Sequence, residues 1–323
     1  MNTTRCYRRG VLLDEGFPLD GLDEHLIHED TVIWVDLYRP TPQDLQTVAD
    51  ELNLHSLAVE GATTVQQRPK FNRYEHHDFL SAYAVRLDTA SGELGMAEIA
   101  AFITPKALIT VRKDDAFPIQ DLIDHLERNA ELITHGISAL LYGLLDFIVD
   151  GHFDTVQMLD EQIETLEDLL FDERSHDTDV QRRSFELRKS LVRLRRVVLP
   201  MREVINTIIR RDVQLVPREM APYYQDLYDH VLRATEWTES LRDLVSTIVE
   251  TNLTIQGNRL NIITKKVTSW AAIIAVPTAI TGFYGQNLPY PGFAHESGFI
   301  ASTLLIAVLS VGLFMIFRRK DWL

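Results

Sequence analysis

The sequence predicts an α/β cytosolic domain followed by long helices and two transmembrane helices. Three observations predict it: β-rich runs confined to the first third of the chain, helical apolar spacing beyond it, and two uncharged, membrane-length stretches near the carboxyl end. The expected segments are an α/β domain over 1–115, a helical hairpin region over 116–216, a stalk helix over 217–266, a first span over 267–284, a loop over 285–298, a second span over 299–317 and a basic tail over 318–323.

In the first segment, Thr31–Leu37, Phe79–Leu87, Glu98–Ile103 and Ala107–Val111 read as strands, and Thr41-Pro42-Gln43-Asp44 carries the chemistry of a helix start. The opening MNTTRCYRRG has basic residues with no apolar core behind them, which is not the pattern of a secretory signal. Tyr74-Glu75-His76-His77-Asp78 contains metal-binding residue types. Adjacent side chains on a strand point to opposite faces, however, so this run reads as a strand entry.

Beyond residue 119, Phe147–Phe171 and Val180–Val198 carry apolar residues at helical spacing around the polar turn Asp172–Asp177, an antiparallel hairpin. Pro217 and Pro222 mark the start of a further helix, and no proline follows until Pro277. Unbroken from Pro222 to Phe283, that helix would be about 93 Å long at 1.5 Å per residue.

Phe299 to Phe317 is uncharged and spans roughly 28 Å as a helix, close to the hydrocarbon thickness of a bilayer. Val267 to Phe283 is equally uncharged but is punctuated by Thr268, Ser269, Pro277, Thr278, Thr281 and Gly282, as suits a span shielded from lipid. Arg259, Lys265 and Lys266 precede the first span and Arg318, Arg319 and Lys320 follow the second, while the connection between the spans has no Lys or Arg. Both ends are therefore expected in the cytoplasm.

The 323 residues carry a formal net charge of −15, which argues against a nucleic-acid partner and suits attraction of cations. The mean hydropathy of −0.07 marks a mostly soluble protein with a membrane anchor. Cys6 is the only cysteine, which removes disulfide frameworks and thiolate metal sites. Neither a phosphate-binding glycine loop nor an HExxH motif is present, so the chain is not expected to be an enzyme or to spend nucleotide.

The long helix holds the most informative pattern. Steps of three and four from Asp226 reach Asp229, Arg233, Glu236, Ser240, Asp243, Thr247, Glu250, Thr254, Gly257, Asn261, Thr264, Thr268, Ala271, Ala275, Thr278 and Gly282 without meeting one large apolar residue. Leu227, Val231, Ala234, Leu241, Val245, Ile248 and Ile255 form an apolar stripe at the same spacing, suited to packing on a partner. In the cytosolic half a polar stripe is ordinarily a solvated face. Within the span the same stripe should face protein or water, as one wall of a pore or as a tight contact between helices through small residues. Two spans per chain cannot enclose an ion path, so the pore reading requires a ring of subunits.

Threonine hydroxyls, amides and carbonyls are hard oxygen donors, which suit Mg²⁺ held through its waters. Tyr284-Gly285-Gln286-Asn287, where the first span ends, is the candidate pore mouth, and a ring of Asn287 amides can hold a hydrated ion there. Glu250, the last acid before the membrane, and Glu296, the acid of the outer loop, are candidates to concentrate cations at the two ends.

YGQN after a proline-bearing span, followed by a second span and a tail ending Asp321-Trp322-Leu323, resembles the CorA magnesium-transporter family, whose motif at that place is YGMN. HSLAVEGATTVQQRPKFNRYEHHDFL from His55 and APYYQDLYDH from Ala221 are similar to further segments of the family, so the likeness covers almost the whole chain. The resemblance implies a funnel-shaped homopentamer in the lipid bilayer of a bacterial inner (plasma) membrane, with the first span lining the pore and no organic cofactor. It implies that Gly285 and Asn287 form the selectivity mouth, that Asn261, Val267, Ala275 and Thr278 line the pore, and that Glu250 is the inner acidic position. It implies too that cytosolic Mg²⁺, bound between neighbouring domains at Glu60, Asp146 and Asp226, holds the channel shut.

Two positions depart from the family pattern. Gly61 stands where the family has aspartate after glutamate, which implies weaker gating by metal, and Gln286 stands where it has methionine. The leading expectation is passive, potential-driven Mg²⁺ uptake. The same fold carrying zinc, cobalt or nickel, or serving as a membrane-anchored metal sensor, are the alternatives.

Overall fold

Seven strands, β1 (Thr3–Arg8), β2 (Val11–Glu15), β3 (Thr31–Tyr38), β4 (Lys70–Arg73), β5 (Asp78–Leu87), β6 (Leu94–Ile103) and β7 (Ala107–Arg112), form one sheet in the order β2-β1-β3-β7-β6-β5-β4. The computed structural model describes all residues except 1, 29, 65–67, 89–91, 172–176, 212–214, 287–288, 290–291 and 293–294. It divides into two units, Met1–Ile248 and Val249–Leu323. The four strands read from the sequence are present. β6 starts four residues earlier than expected, and the short strands β1, β2 and β4 were not anticipated.

Among the described residues only β3 and β7 pair in parallel, an arrangement that requires a long connection such as the one between them. Period-two alternation sends Ile33, Val35 and Leu37 into a cluster with Leu45, Val48, Ala58 and Ala62, under the short helices α1 (Leu22–Leu26), α2 (Pro42–Leu52) and α3 (Ser56–Thr63). The start of α2 is a capping box: Thr41 accepts from the Asp44 amide and Asp44 accepts from the Thr41 amide, with Pro42 in the first turn. Asn53, in the left-handed conformation, ends it.

The opposite face of the sheet carries Trp34, Leu80, Ile99 and Leu108, packed on α4 (Ile119–Arg128), α5 (Ile137–Phe171), α6 (Asp177–Arg211) and the first part of α7 (Ala221–Tyr284). At its centre Asp36 is fully buried. Arg112 donates to Asp36 from Nε at 3.0 Å and Nη2 at 2.6 Å, and Thr110 donates at 2.8 Å while accepting from the Trp34 indole at 3.2 Å. A buried carboxylate with this many hydrogen-bond partners on the neighbouring strand fixes the register of the two parallel strands.

The hairpin of α5 and α6 is longer than the periodicity indicated. Ile137–Leu145 is buried on every side, so its apolar residues show no period, and α6 continues through Pro200 to Arg211. The turn between them falls at 172–176, outside the described residues. Gly143 lets α5 approach α4, since a Cβ there would lie 2.3 Å from Leu126 Cδ2.

His152 of α5 is completely buried, with Nε2 donating to the Tyr83 carbonyl at 2.7 Å. Burial pushes its pKa down to about 4. Above about pH 6.5 both folded and unfolded chains hold a neutral imidazole and the group adds no pH dependence. As pH falls, the unfolded chain takes up its proton first, so stability drops between about pH 6.5 and 4, by roughly 3 kcal/mol in all. Thermal unfolding of the detergent-solubilised chain between pH 7 and 4 should therefore fall more steeply for the wild type than for His152→Gln, whose amide can donate to the same carbonyl; parallel curves would contradict this.

In the second unit, α8 (Glu296–Arg319) and the later part of α7 are the two helices long and apolar enough to cross a membrane. Glu296, expected in the outer loop, is instead the first residue of α8, where the helix dipole favours a carboxylate. After α8 the chain turns back at Asp321, in the left-handed conformation, and Trp322 stacks on Phe317 at 5.7 Å beneath Lys320. An aromatic and basic cluster of this kind suits a membrane interface.

Candidate functional site

Two faces of α7 can be told apart by what they touch. In the first unit Leu227, Val231, Ala234, Leu241, Val245 and Ile248 are buried, while Asp226, Asp229, Arg233, Glu236, Ser240, Asp243 and Thr247 are all exposed. The apolar stripe packs and the polar stripe does not, as the spacing predicts. In the second unit the stripe positions Glu250, Thr254, Gly257, Asn261, Thr264, Thr268, Ala271, Ala275, Thr278 and Gly282 are likewise all exposed.

A second exposed strip adjoins them there. Ile263, Val267, Trp270 and Ile274 are between 52 and 62 % exposed. At 100° per residue this strip is a separate, large-apolar face suited to lipid or a neighbouring helix. Val267, which the family resemblance placed in the lining, stands on the border between the two. The small and polar stripe is the only course along this helix that offers oxygen ligands in phase.

Two hydroxyls on that stripe have a fixed sense. Thr278 donates to the Ile274 carbonyl at 2.9 Å and Thr254 to the Glu250 carbonyl at 3.0 Å. A hydroxyl whose proton is committed to its own helix presents lone pairs to whatever faces it. Thr281 donates to Pro277 at 2.8 Å, in the turn where the proline has removed a main-chain donor.

α7 ends at Tyr284. The Gly285 amide donates to the Thr281 carbonyl at 2.8 Å, and a Cβ on residue 285 would lie 2.9 Å from that same oxygen, closer than any side chain tolerates. The chain can therefore leave the helix this tightly only through glycine. Gln286 follows, exposed, and Asn287 lies outside the described residues.

The three carboxylates expected to bind regulatory metal divide into two places. Glu60 is exposed on α3, on one side of the sheet, and its carbonyl accepts from Thr63 and Thr64. Asp146 on α5 and Asp226 on α7 lie on the other side and share one electrostatic neighbourhood. The Tyr142 hydroxyl lies 3.2 Å from Asp146, whose other oxygen is 3.2 Å from His125 Nε2, and His230 Nε2 is 3.7 Å from Asp226. Burial, reinforced by Asp146 and Asp226, raises the Tyr142 phenol above its usual value. Desolvation and then Asp146 raise the Asp150 carboxyl.

Sequence reasoning missed His125, Tyr142, Asp150 and His230. The spacing of Tyr142, Asp146 and Asp150 on α5, and of Asp226 and His230 on α7, at intervals of four is the signal that could have found them. Among the described residues no three metal-ligating side chains of one chain converge on a point. Gly61 is buried on α3. Residues 74–77 form the turn between β4 and β5, with His77 buried and stacked on Tyr74 at 4.9 Å, so they serve as a strand entry and not a metal cluster.

Comparison with known proteins places this geometry in context. The family described as CorA-like Mg²⁺ transporter protein matches residues 29–319. The chain is 29% identical over 292 residues to a putative metal ion transporter, YfjQ, of Bacillus subtilis, covering 90% of this chain and 89% of that one. It is 28% identical over 296 residues to the cobalt/magnesium transport protein CorA of Thermotoga maritima, covering 91% and 84%. The structure of the CorA magnesium transporter of Methanocaldococcus jannaschii superposes with a TM-score of 0.78 over 99% of this chain and 98% of that one, at 23% identity.

Proposed function

The chain belongs to the CorA-like Mg²⁺ transporter family of divalent-cation transporters, and we propose that it conducts Mg²⁺ passively into the cell through a homopentameric pore lined by the small and polar stripe of α7. The observation that carries the reading is that stripe, exposed at every position from Glu250 to Gly282 and free of large apolar residues. A ring of copies around α7 turns it inward and leaves Ile263, Trp270 and Ile274 for lipid and neighbouring helices. Glu250 concentrates cations at the inner end, and Gln286 and Asn287 hold the hydrated ion at the outer mouth. The basic residues flanking both spans support cytoplasmic termini, and the membrane of this reading is a bacterial inner membrane. A negative interior then favours entry by about 4.6 kcal/mol per divalent ion per 100 mV, and no catalytic step is required.

Regulation uses the two sides of the sheet. Because Glu60 and the pair Asp146 and Asp226 lie on opposite faces of one chain, a head-to-tail ring brings Glu60 of one copy toward Asp146 and Asp226 of the next. Mg²⁺ held there bridges neighbours and favours the closed state, with Gly61 leaving that site one carboxylate short.

Uptake of Mg²⁺ into proteoliposomes under an imposed potential, read by a luminal indicator, tests the mouth. Asn287→Leu should remove most of the flux by replacing amide oxygens with methyl groups, while equal uptake by both proteins would end the assignment. Competition by Zn²⁺, Co²⁺ and Ni²⁺ in the same assay reads the contribution of Gln286 to the choice of ion.

A further inference from the structure

Charge is sorted by sign along the α5–α6 hairpin. α5 carries eight Asp and Glu and no Lys or Arg. α6 carries ten Lys and Arg against four Asp and Glu, a net of +6 in a chain whose total is −15. Asp154, Glu161 and Asp168 recur at helical spacing on one exposed stripe of α5, and Arg182, Lys189 and Arg196 on one exposed stripe of α6. Among the described residues no ion pair joins the two helices, and none of these six side chains is in an ion pair at all.

Apolar side chains interrupt both stripes. Phe185 is 69 % exposed and Val192 37 % on the α6 side, and Met158 is 36 % exposed on the α5 side. Aromatic and arginine side chains together on an exposed face are the composition of an interface rather than of a solvated surface.

We propose that these stripes are the two halves of one contact between copies: the outer face of α6 on one chain docks on the outer face of α5 of the next. The proposal rests on the ring reading given above. The geometry of a hairpin supplies the register. Counted from the helix ends Phe171 and Asp177, Asp168, Glu161 and Asp154 stand at the heights of Arg182, Lys189 and Arg196 to within about 3 Å at 1.5 Å per residue, and Met158 stands as close to the height of Val192. Rotation about an axis running along these helices preserves height, so each acid of one copy meets a base of the next without sliding. A contact between two different faces of the same chain is heterologous, and it closes into a ring when the rotation from copy to copy divides a full turn. The acidic stripe lies about 40–80° around α5 from Asp146 at 100° per residue, the residue already turned toward a neighbour in the proposed metal site.

The test uses the full-length chain in detergent, with its buried Cys6 left in place. Met158→Cys and Val192→Cys in one chain should give, on mild oxidation, a ladder of covalent oligomers on denaturing gels that neither single variant gives. Co-expressed chains carrying one substitution each should give covalent dimers. Lys189→Glu or Glu161→Lys in the double-cysteine background should deplete the ladder, and the two reversals together should restore it. Native mass spectrometry of the same samples separates the outcomes. A pentamer without ladder or charge rescue overturns this contact and leaves the ring standing; a monomer or dimer removes the ring, and this contact with it.

Discussion

Thr278→Phe should lower Mg²⁺ flux by at least about a hundredfold, an added barrier of roughly 2.7 kcal/mol, whereas Ile280→Phe, two residues further along α7, should leave it near the wild-type rate. The two substitutions introduce the same ring and differ only in face. Thr278 belongs to the small and polar stripe, and Ile280 stands about 200° away from it around α7 at 100° per residue. In the proposed pore, five phenylalanines at one height replace acceptor oxygens with a dewetting constriction. Mg²⁺ sheds its waters reluctantly, so the hydrated ion cannot thread it. Both variants should reach the membrane in equal amounts, since each remains an apolar span. Loss of uptake in Ile280→Phe with retention in Thr278→Phe would show that the conduction path runs along the other face.

The largest effect on stability is expected at Asp36. Removing its carboxylate by Asp36→Ala leaves the Arg112 guanidinium, 8% exposed, buried without its bidentate partner. Breaking a buried pair by removing one member typically costs about 3–5 kcal/mol. The Thr110 hydroxyl would lose its acceptor and the Trp34 indole the orientation of its own, so the near-ultraviolet dichroism of Trp34 provides the readout in thermal unfolding. Replacing both partners, as in Asp36→Val with Arg112→Leu, should destabilise by less than the sum of the two single changes, because no orphaned charge remains. A single variant within about 0.5 kcal/mol of wild type would show that the pair contributes little.

What could be read from the sequence followed the visibility of period. The stripe on α7 was legible because 3.6-residue spacing persists from Asp226 to Gly282, and the capping box at Thr41 because its chemistry is local. β1 was not legible. Its residues Thr4, Arg5, Cys6 and Tyr7 are all buried, yet only two are apolar: Arg5 is paired with Glu15 and with Glu127, a residue 122 positions away. β4, reading Lys-Phe-Asn-Arg, is a polar edge strand with no alternation to detect. The start of α5 failed for the opposite reason, since a helix buried all round has no hydrophilic face to set a phase. The neighbourhood of Asp146 and Asp226 is built from helices some 80 residues apart in sequence, so only a family resemblance could pair them, and that resemblance assigned no role to His125 or His230.

The inward-committed protons of Thr254 and Thr278 carry one more implication. A water molecule bordering either residue can donate to the hydroxyl oxygen but cannot accept from it, so it stands with its hydrogens to the wall and its oxygen toward the axis. Such a shell is already oriented for a positive charge and misoriented for chloride, which needs hydrogens pointing at it. At these rungs the water is also held against the rotation that a Grotthuss relay demands. The proposed conduit thus rejects anions and interrupts proton leakage with neutral residues, before any carboxylate is reached.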